Sequence, residues 1–460
     1  MEQVLKQIIS DQLRKLLGDR ITASESVLQE HGTGFSYHRS MPPDFVVYPI
    51  STEEIAAIVD ICARHEVPLI PFGSGTSVEG HVLALRGGVC VDLRQMNQVL
   101  DLNFDDMSAT IQAGVTRNQL DANLEGTGFF FPIGPGVNAT IGGMAATRAS
   151  GTNAVRYGTM KDNVLSLTVV LPNGQIIRTS GKAKKSSAGY NLTQLFIGSE
   201  GTLGIIAELT IKLHSAPEIS KAAVCSFPSI KAAVNTAIKI IQKGVPIARV
   251  EFIDSLMMKA INQYSHVHYR EEPTLFLEFN GSHQTVEEQI RKVEKIAHEF
   301  GAAGFDWEKD ELSRKKMWSI RTDAAPAAAA LIPGSHLMST DVCVPISRLA
   351  SCMMETKEDV EKSGLIAPML GHVGDGNFHL AIPIPPNDKE ALDNAKALNE
   401  RLVRRALAMD GTCTGEHGIG VGKLSFMRLE HGDSLDLMRA IKLAIDPDNI
   451  MNPGKLLPDA

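Results

Sequence analysis

No Cys-x-x-Cys pair occurs among the six cysteines, at positions 62, 90, 225, 343, 352 and 413, and none precedes a haem-attachment histidine. A cysteine-ligated iron–sulfur cluster or structural zinc site is therefore not encoded. The thiols read as reduced, mostly buried side chains of a cytosolic protein. The N-terminal residues do not read as a secretory signal. The longest apolar stretch, around Ala324–Pro333, is far shorter than the roughly 20 residues that cross a bilayer. Basic charge is not in excess: the net charge is −8 and the pI about 6.0, which argues against nucleic acid as a ligand. No G-x-G-x-x-G follows a strand-like run, so a Rossmann dinucleotide site is disfavoured. The "GIGVGKL" stretch is not a P-loop: His417 stands where the first glycine belongs and Leu424 where magnesium needs a hydroxyl. No internal repeat or low-complexity segment stands out.

What is present is an ordinary globular composition, 43% hydrophobic and 21% charged over 460 residues, enough for two or three domains. Residues 1–42 form a helical segment with an amphipathic stripe (Val4, Leu5, Ile8, Ile9, Leu13, Leu16, Leu17). Its Glu2, Asp11 and Asp19 make it a poor transit peptide. A packed surface helix or one lying on the inner face of a membrane fits this pattern. Residues 43–215 carry short strand-like runs broken by glycine, with a helix from Glu53 to about His65 capped by Ser51 or Thr52, and a "PNG" hairpin. From 216 to about 410, strands alternate with helices in the manner of an antiparallel sheet with helices on one face. Residues 411–460 hold "GTCTGEHGIGVGK", a helix and "DPDNIMNPGKLLP".

Four glycine-rich stretches can present backbone amides to an anion: "PFGSGTSVEG", "PIGPGVNATIGGMAATRASGTNAVRYG", "GSEGTLG" and "NPGK". Each alone reads as a tight turn; four in one chain point to a large bound cofactor. A fifth, "GHVGDGNFHLAI", flanks Gly-Asp-Gly with histidines. A type I′ loop centred on Asp375-Gly376 would oppose His372 to His379 and put Asn377 on their face. Such a pair is either two satisfied surface imidazoles or a shared ligand set.

"PFGSGTS", "ATIGGMAATRASGTNAVRYGTMKDNVLSLTVVLPNGQIIRT" and "LFIGSEGTLGII" resemble the flavin domain of the vanillyl-alcohol oxidase / p-cresol methylhydroxylase superfamily. "GHVGDGNFH", "GTCTGEHGIG" and "DPDNIMNPGK" resemble the C-terminal region of its D-2-hydroxy-acid dehydrogenase branch. The resemblance runs from about Pro42 onward. It implies an α+β fold: a two-subdomain FAD-binding domain of the p-cresol methylhydroxylase type, plus an α+β, ferredoxin-like substrate (cap) domain. The C-terminal segment from 411 would return to the flavin domain.

The resemblance further implies FAD with its pyrophosphate against Gly73, Ser74, Gly75, Thr76 and Ser77, beside Pro71, and against Ile141–Met144, including Gly142 and Gly143 behind Thr140. The flavin ring would lie near Pro132, Gly136, Ser150 and Gly151, the adenosine near Gly201 and Ile206, and Asn452 and Lys455 would return to the flavin. Thr76 stands where covalent members carry a histidine, so the FAD is expected to be non-covalent.

"GEHGIG" places Glu416 and His417 on opposite sides of an extended segment. With His372 and His379, Glu416 completes two imidazoles and a carboxylate for zinc, manganese or iron(II). His417 is then the candidate base for the hydroxyl proton, Asn377 an orienting group, and Arg321 the cation for the substrate carboxylate. Ser339 and Thr340 replace the basic residue expected for a second carboxylate, which favours D-lactate or a similar small 2-hydroxy monocarboxylate. Electrons would pass to a quinone, cytochrome or partner flavoprotein, and the chain itself can form a homodimer. The alternatives are the flavin subunit of glycolate oxidase, a D-2-hydroxyglutarate dehydrogenase and a flavin-binding sensor or assembly subunit.

Overall fold

Ser51 is extended, and its hydroxyl accepts the Glu54 amide at 3.2 Å, which starts the helix Thr52–Ala63 one turn before its apolar face. Ile55, Ile58, Val59 and Cys62 recur at helical spacing on that face and are fully buried. The computed structural model describes residues 1–458. The first unit comprises Met1–Ser150, Gly158–Ala216 and the chain from Glu416 onward; the second comprises Gly151–Tyr157 and Pro217–Gly415.

Two sheets organise the first unit. One has four strands in the order Ile21–Thr22, Phe45–Val47, Val89–Asp92, Leu69–Phe72, with the last three parallel. The edge of Leu69–Phe72 is met by the C-terminal segment: Leu69 donates to the Ile450 carbonyl and accepts from the Asn452 amide, both at 2.8 Å. The other sheet is antiparallel, in the order Val99–Asn103, Ser108–Gln112, Ile205–Lys212, Val164–Val170, Ile176–Arg178. Its last hairpin turns at "PNG", where Gly174 takes φ +77°. The N-terminal helix Gln3–Leu17 buries Ile9, Leu13 and Leu17 in the core of this unit, while Val4 and Ile8 face solvent.

In the second unit, strands Phe305–Trp307, Ile219–Ser226, Thr274–Gly281 and Arg249–Ile253 lie side by side. By position in the chain this is the order 4-1-3-2 of a ferredoxin-like sheet, all antiparallel. The sheet continues through Met369–Gly371, Asn377–Ile384 and His336–Ser339. Helices Ile230–Gln242, His283–Glu299, Leu349–Ser363 and Lys389–Ala408 follow the sequence pattern closely. The boundary expected at 411 falls at Glu416, because residues 411–415 are tied into this unit. Thr412 exchanges backbone hydrogen bonds with Cys343, and the Gly415 amide donates to Asp341. No helix among the described residues is long and apolar enough to cross a membrane.

The histidine hairpin differs from the two-residue turn read from Asp-Gly. Leu370 pairs with His379 and Met369 with Leu380, which leaves a four-residue loop, Val373–Gly376, between His372 and Asn377. Only Gly376 takes a left-handed conformation (φ +84°), so the type I′ geometry, which needs two, is not met. The register is displaced by two residues. Side chains alternate with period two, so both histidines keep the same face and become diagonal neighbours.

Candidate active site

The two imidazoles meet edge to face, with ring centroids 5.6 Å apart. His372 Nδ1 lies 2.7 Å from Glu251 Oε1, and His379 Nδ1 lies 3.0 Å from the Thr340 carbonyl oxygen. A carbonyl oxygen or ionised carboxylate cannot donate, so each Nδ1 carries a hydrogen, and Nε2 is the nitrogen that a neutral ring would offer to a ligand. That outer shell fixes tautomer and ring orientation in metal-binding histidines, so the donor set fits a borderline divalent cation. Thr340, expected only to report on the substrate, is fully buried, and its hydroxyl accepts the Leu380 amide. It thereby braces the His379 strand.

Arg321 is buried and lies across Glu251 from His372, its Nη2 at 2.7 Å from Glu251 Oε2. It belongs to a helix, Glu311–Thr322, whose Arg314, Trp318 and Arg321 share one face at helical spacing. Arg314 and the Trp318 indole donate to Glu278, and Arg321 donates to Glu251. Burial disfavours the Glu251 charge, but His372 and Arg321 together hold its carboxyl below the usual range. The contact in hand for Arg321 is therefore a strut beneath a histidine. Asn377 Nδ2 donates to Asp341 Oδ1 and the Val342 carbonyl, each at 2.7 Å, so its amide group holds Asp341. Glu251 and Asp341 are the site residues that sequence reasoning did not assign. Each is a carboxylate inside an apolar strand-like run ("ARVEFI", "STDVCVP"), and that was the available signal.

The Glu416-His417 pair begins the last segment of the first unit, one residue beyond an anchored stretch. Asp341 Oδ2 accepts the Gly415 amide at 2.8 Å and the Thr414 hydroxyl at 2.7 Å. On the other side, the Glu200 carboxylate accepts the Ile419 and Gly420 amides, and the Glu79 carbonyl accepts those of Val421 and Gly422. Glu416 and His417 are half-buried.

In the first unit, strand Leu69–Phe72 delivers Pro71 and then the loop Gly73–Ser77, with Gly75 at φ +66°. Among the described residues, none accepts a hydrogen bond from the five backbone amides of Gly73–Ser77. A nest of unengaged amides at a strand end fits the diphosphate of a dinucleotide. Ser74 Oγ accepts the Thr140 amide at 3.0 Å and so joins this loop to the second glycine stretch.

Ile141–Met144, the other segment expected beside the pyrophosphate, opens a short helix capped by Thr140. Those four amides donate to Val115, Ala113, the Thr140 hydroxyl and the Thr140 carbonyl. Gly142 is also needed for close packing, since a Cβ there would lie 2.5 Å from that of Ala113. Pro132 and Gly136 sit in the loop before Thr140, Ser150 ends a segment of this unit, and Gly151 opens the short segment of the other. Gly201 packs on the Pro71 ring, and Ile206 is in the core. Asn452 Nδ2 donates to the Glu200 and His81 carbonyls, and Lys455 Nζ to the Leu83 carbonyl and Asn452 Oδ1. Both thus clamp the protein loops they reach. Burial pulls the Lys455 ammonium down to about 8, with Glu200 opposing.

Residues 43–180 match the model of a FAD binding domain, and residues 216–456 that of the FAD linked oxidases, C-terminal domain. A Danio rerio protein described as a probable mitochondrial D-lactate dehydrogenase is 50% identical, over 98% of this chain and 92% of its own. The Arabidopsis thaliana mitochondrial D-lactate dehydrogenase [cytochrome] is 44% identical, over 99% and 81%. The Bacillus subtilis glycolate oxidase subunit GlcD is 35% identical, over 91% and 90%. Among solved structures, p-cresol methylhydroxylase with substrate bound superposes with a TM-score of 0.84 at 18% identity, covering 100% of this chain and 98% of its own. That likeness bears on the fold alone. The two family models and the curated relatives thus define a FAD-dependent oxidoreductase. Within that class, the chain belongs to the family of FAD-linked oxidases.

Proposed function

We propose that the protein oxidises D-lactate, or a similar small D-2-hydroxy monocarboxylate, to the 2-oxo acid. The relatives at 50% and 44% identity support the substrate class. The observation that carries the chemistry is the facing pair His372 and His379, with both Nδ1 atoms tied to oxygen acceptors.

FAD, when bound, supplies the hydride acceptor. A divalent ion on His372, His379 and Glu416 (zinc or manganese, with iron(II) as a third choice) would act as a Lewis acid on the substrate hydroxyl and carboxylate. His417 accepts the hydroxyl proton, a step that a neutral imidazole can perform. Arg321 supports the site through Glu251, and its guanidinium provides positive charge for the substrate carboxylate. Asn377 acts through Asp341 on the segment that leads into Glu416. With Ser339 and Thr340 in place of a cation, a second substrate carboxylate lacks a partner. Electrons leave to an external acceptor: a cytochrome, as the name of the Arabidopsis relative supports, or otherwise a quinone or flavoprotein.

Anaerobic reduction of the bound flavin by a panel of D- and L-2-hydroxy acids, with and without chelator, tests the reading. D-lactate is expected to bleach the flavin fastest, and chelator to prevent it. Bleaching by L-lactate but not D-lactate overturns the stereochemical assignment. A clear preference for glycolate favours the glycolate oxidase subunit instead, the reading that the Bacillus relative supports.

A further inference from the structure

We infer that Glu200 is the positioning residue for His417, acting through the backbone of residues 418–420. The inference rests on the proposal that His417 is the base.

Every polar group of Glu200 is committed. Its amide donates to the Ala146 carbonyl at 2.9 Å, and its carbonyl accepts Asn452 Nδ2 at 2.7 Å. One carboxylate oxygen accepts the Ile419 amide at 2.7 Å and the other the Gly420 amide at 2.8 Å. His81 Nε2 lies 3.2 Å from Oε1. The carboxylate is buried. Desolvation opposes its charge, yet His81 and the two amides keep it below the usual range. The residue holds a left-handed backbone (φ +55°), which costs a non-glycine residue about 1 kcal/mol or more and persists only where surrounding contacts fix it.

The chain between His417 and those amides has no slack. Gly418 takes φ +78°, and a Cβ on it would lie 2.6 Å from Glu200 Oε1 and 2.8 Å from His81 Nε2. Only glycine lets the backbone pass so close to the carboxylate. With 419 and 420 pinned and 418 wedged against the same two side chains, the Cα–Cβ direction of His417 is set from its C-terminal side. A carboxylate is required because two amides converge on it. Glutamine at this position offers one acceptor oxygen and turns an NH₂ toward the other amide. Asn452 bonds the carbonyls of both Glu200 and His81, so the 81, 200 and 419 loops are held at one point.

The test compares E200Q, H417N and the wild type as full-length, FAD-loaded proteins. It reads kcat and KM for D-lactate, FAD affinity by flavin fluorescence, and amide exchange of the peptide containing Ile419 and Gly420. Misplacing a reacting group by about 1 Å costs on the order of 100-fold, so E200Q is expected to lower kcat by roughly 10- to 100-fold. Its KM and FAD affinity should stay within about threefold, and exchange at 419–420 should accelerate by at least about tenfold as one of the two bonds is lost. H417N should match the kcat loss without the change in exchange.

Folded, FAD-bound E200Q with wild-type kcat, or with unchanged exchange, overturns the inference while H417N still reports on the base. Full kcat in H417N overturns the base reading and the inference with it. Where E200Q does not fold, G418A decides. Its Cβ intrudes on the same carboxylate, and it should show lowered kcat with FAD retained; unchanged kcat and exchange in G418A overturn the inference.

Discussion

His372 Nδ1 lies 2.7 Å from one oxygen of Glu251 while Arg321 Nη2 lies 2.7 Å from the other. The carboxylate is therefore a buried bridge between a cation and a ring. E251Q is expected to weaken divalent-metal affinity by about 10- to 100-fold, the usual cost of losing such an outer partner. It should also lower the melting temperature, because Arg321 is left as a buried charge without its partner. Equilibrium dialysis against buffered zinc or manganese measures the first effect; unaltered affinity would remove the orienting role assigned to Glu251.

Chelation tests the proposed ion apart from the flavin. Dialysis against a strong chelator should abolish D-lactate turnover and leave flavin absorbance in place, and added zinc, manganese or iron(II) should restore the rate. H379A and E416Q should reproduce the loss irreversibly. Turnover that survives metal-free preparation, verified by elemental analysis, would remove the ion from the mechanism.

The hairpin loop offers a stability test. Gly376 has φ +84°, and a Cβ there would lie 2.1 Å from the Val344 carbonyl oxygen. Gly126 has φ +73° with nothing within 4 Å of such a Cβ. G126A should cost only the backbone strain, about 1–2 kcal/mol. G376A adds a steric clash with main chain and should cost about 3 kcal/mol or more. Thermal melts of the two variants side by side give the comparison; equal losses would mean that Val344 yields freely.

His214 carries a pH signature. Burial, aided by Lys212, pulls its imidazole from 6.5 down to about 4. As pH falls from 6.5 toward 4, the unfolded chain binds this proton and the folded chain does not, so stability is lost across that window. Asparagine or glutamine at 214 should flatten the decline of melting temperature between pH 6.5 and 4 relative to the wild type. An identical slope in the variant would show that other groups account for it.

Much of this is legible in the amino-acid sequence. The helix Lys389–Ala408 and the cap at Ser51 follow from apolar spacing and a hydroxyl at the right offset. The face shared by His372 and His379 survived a misread register because a two-residue displacement preserves side-chain parity. The turn type was misread because Asp-Gly is a local signal, whereas this loop is set by the fit of Gly376 beneath the Val344 carbonyl. The glycines of Ile141–Met144 also serve packing that sequence does not show, the close approach of Gly142 to Ala113. Glu251, Asp341 and Glu200 were not assigned because their partners lie 36 to 252 residues away in sequence. No window of sequence shows such pairings.

The bridge between Leu69 and Met451 has a consequence for biosynthesis. Synthesis proceeds from the N-terminus, so the strand edge at Leu69 emerges from the ribosome long before the segment that covers it. Residues 217–415, by contrast, form nearly all of their unit from one continuous stretch. That stretch can mature as the chain lengthens, whereas the sheet edge at Leu69 stays open until Met451 has been added. Nascent chains stalled short of Met451 would therefore present a bare β-edge to their neighbours, the kind of surface that chaperones shield and that seeds aggregates.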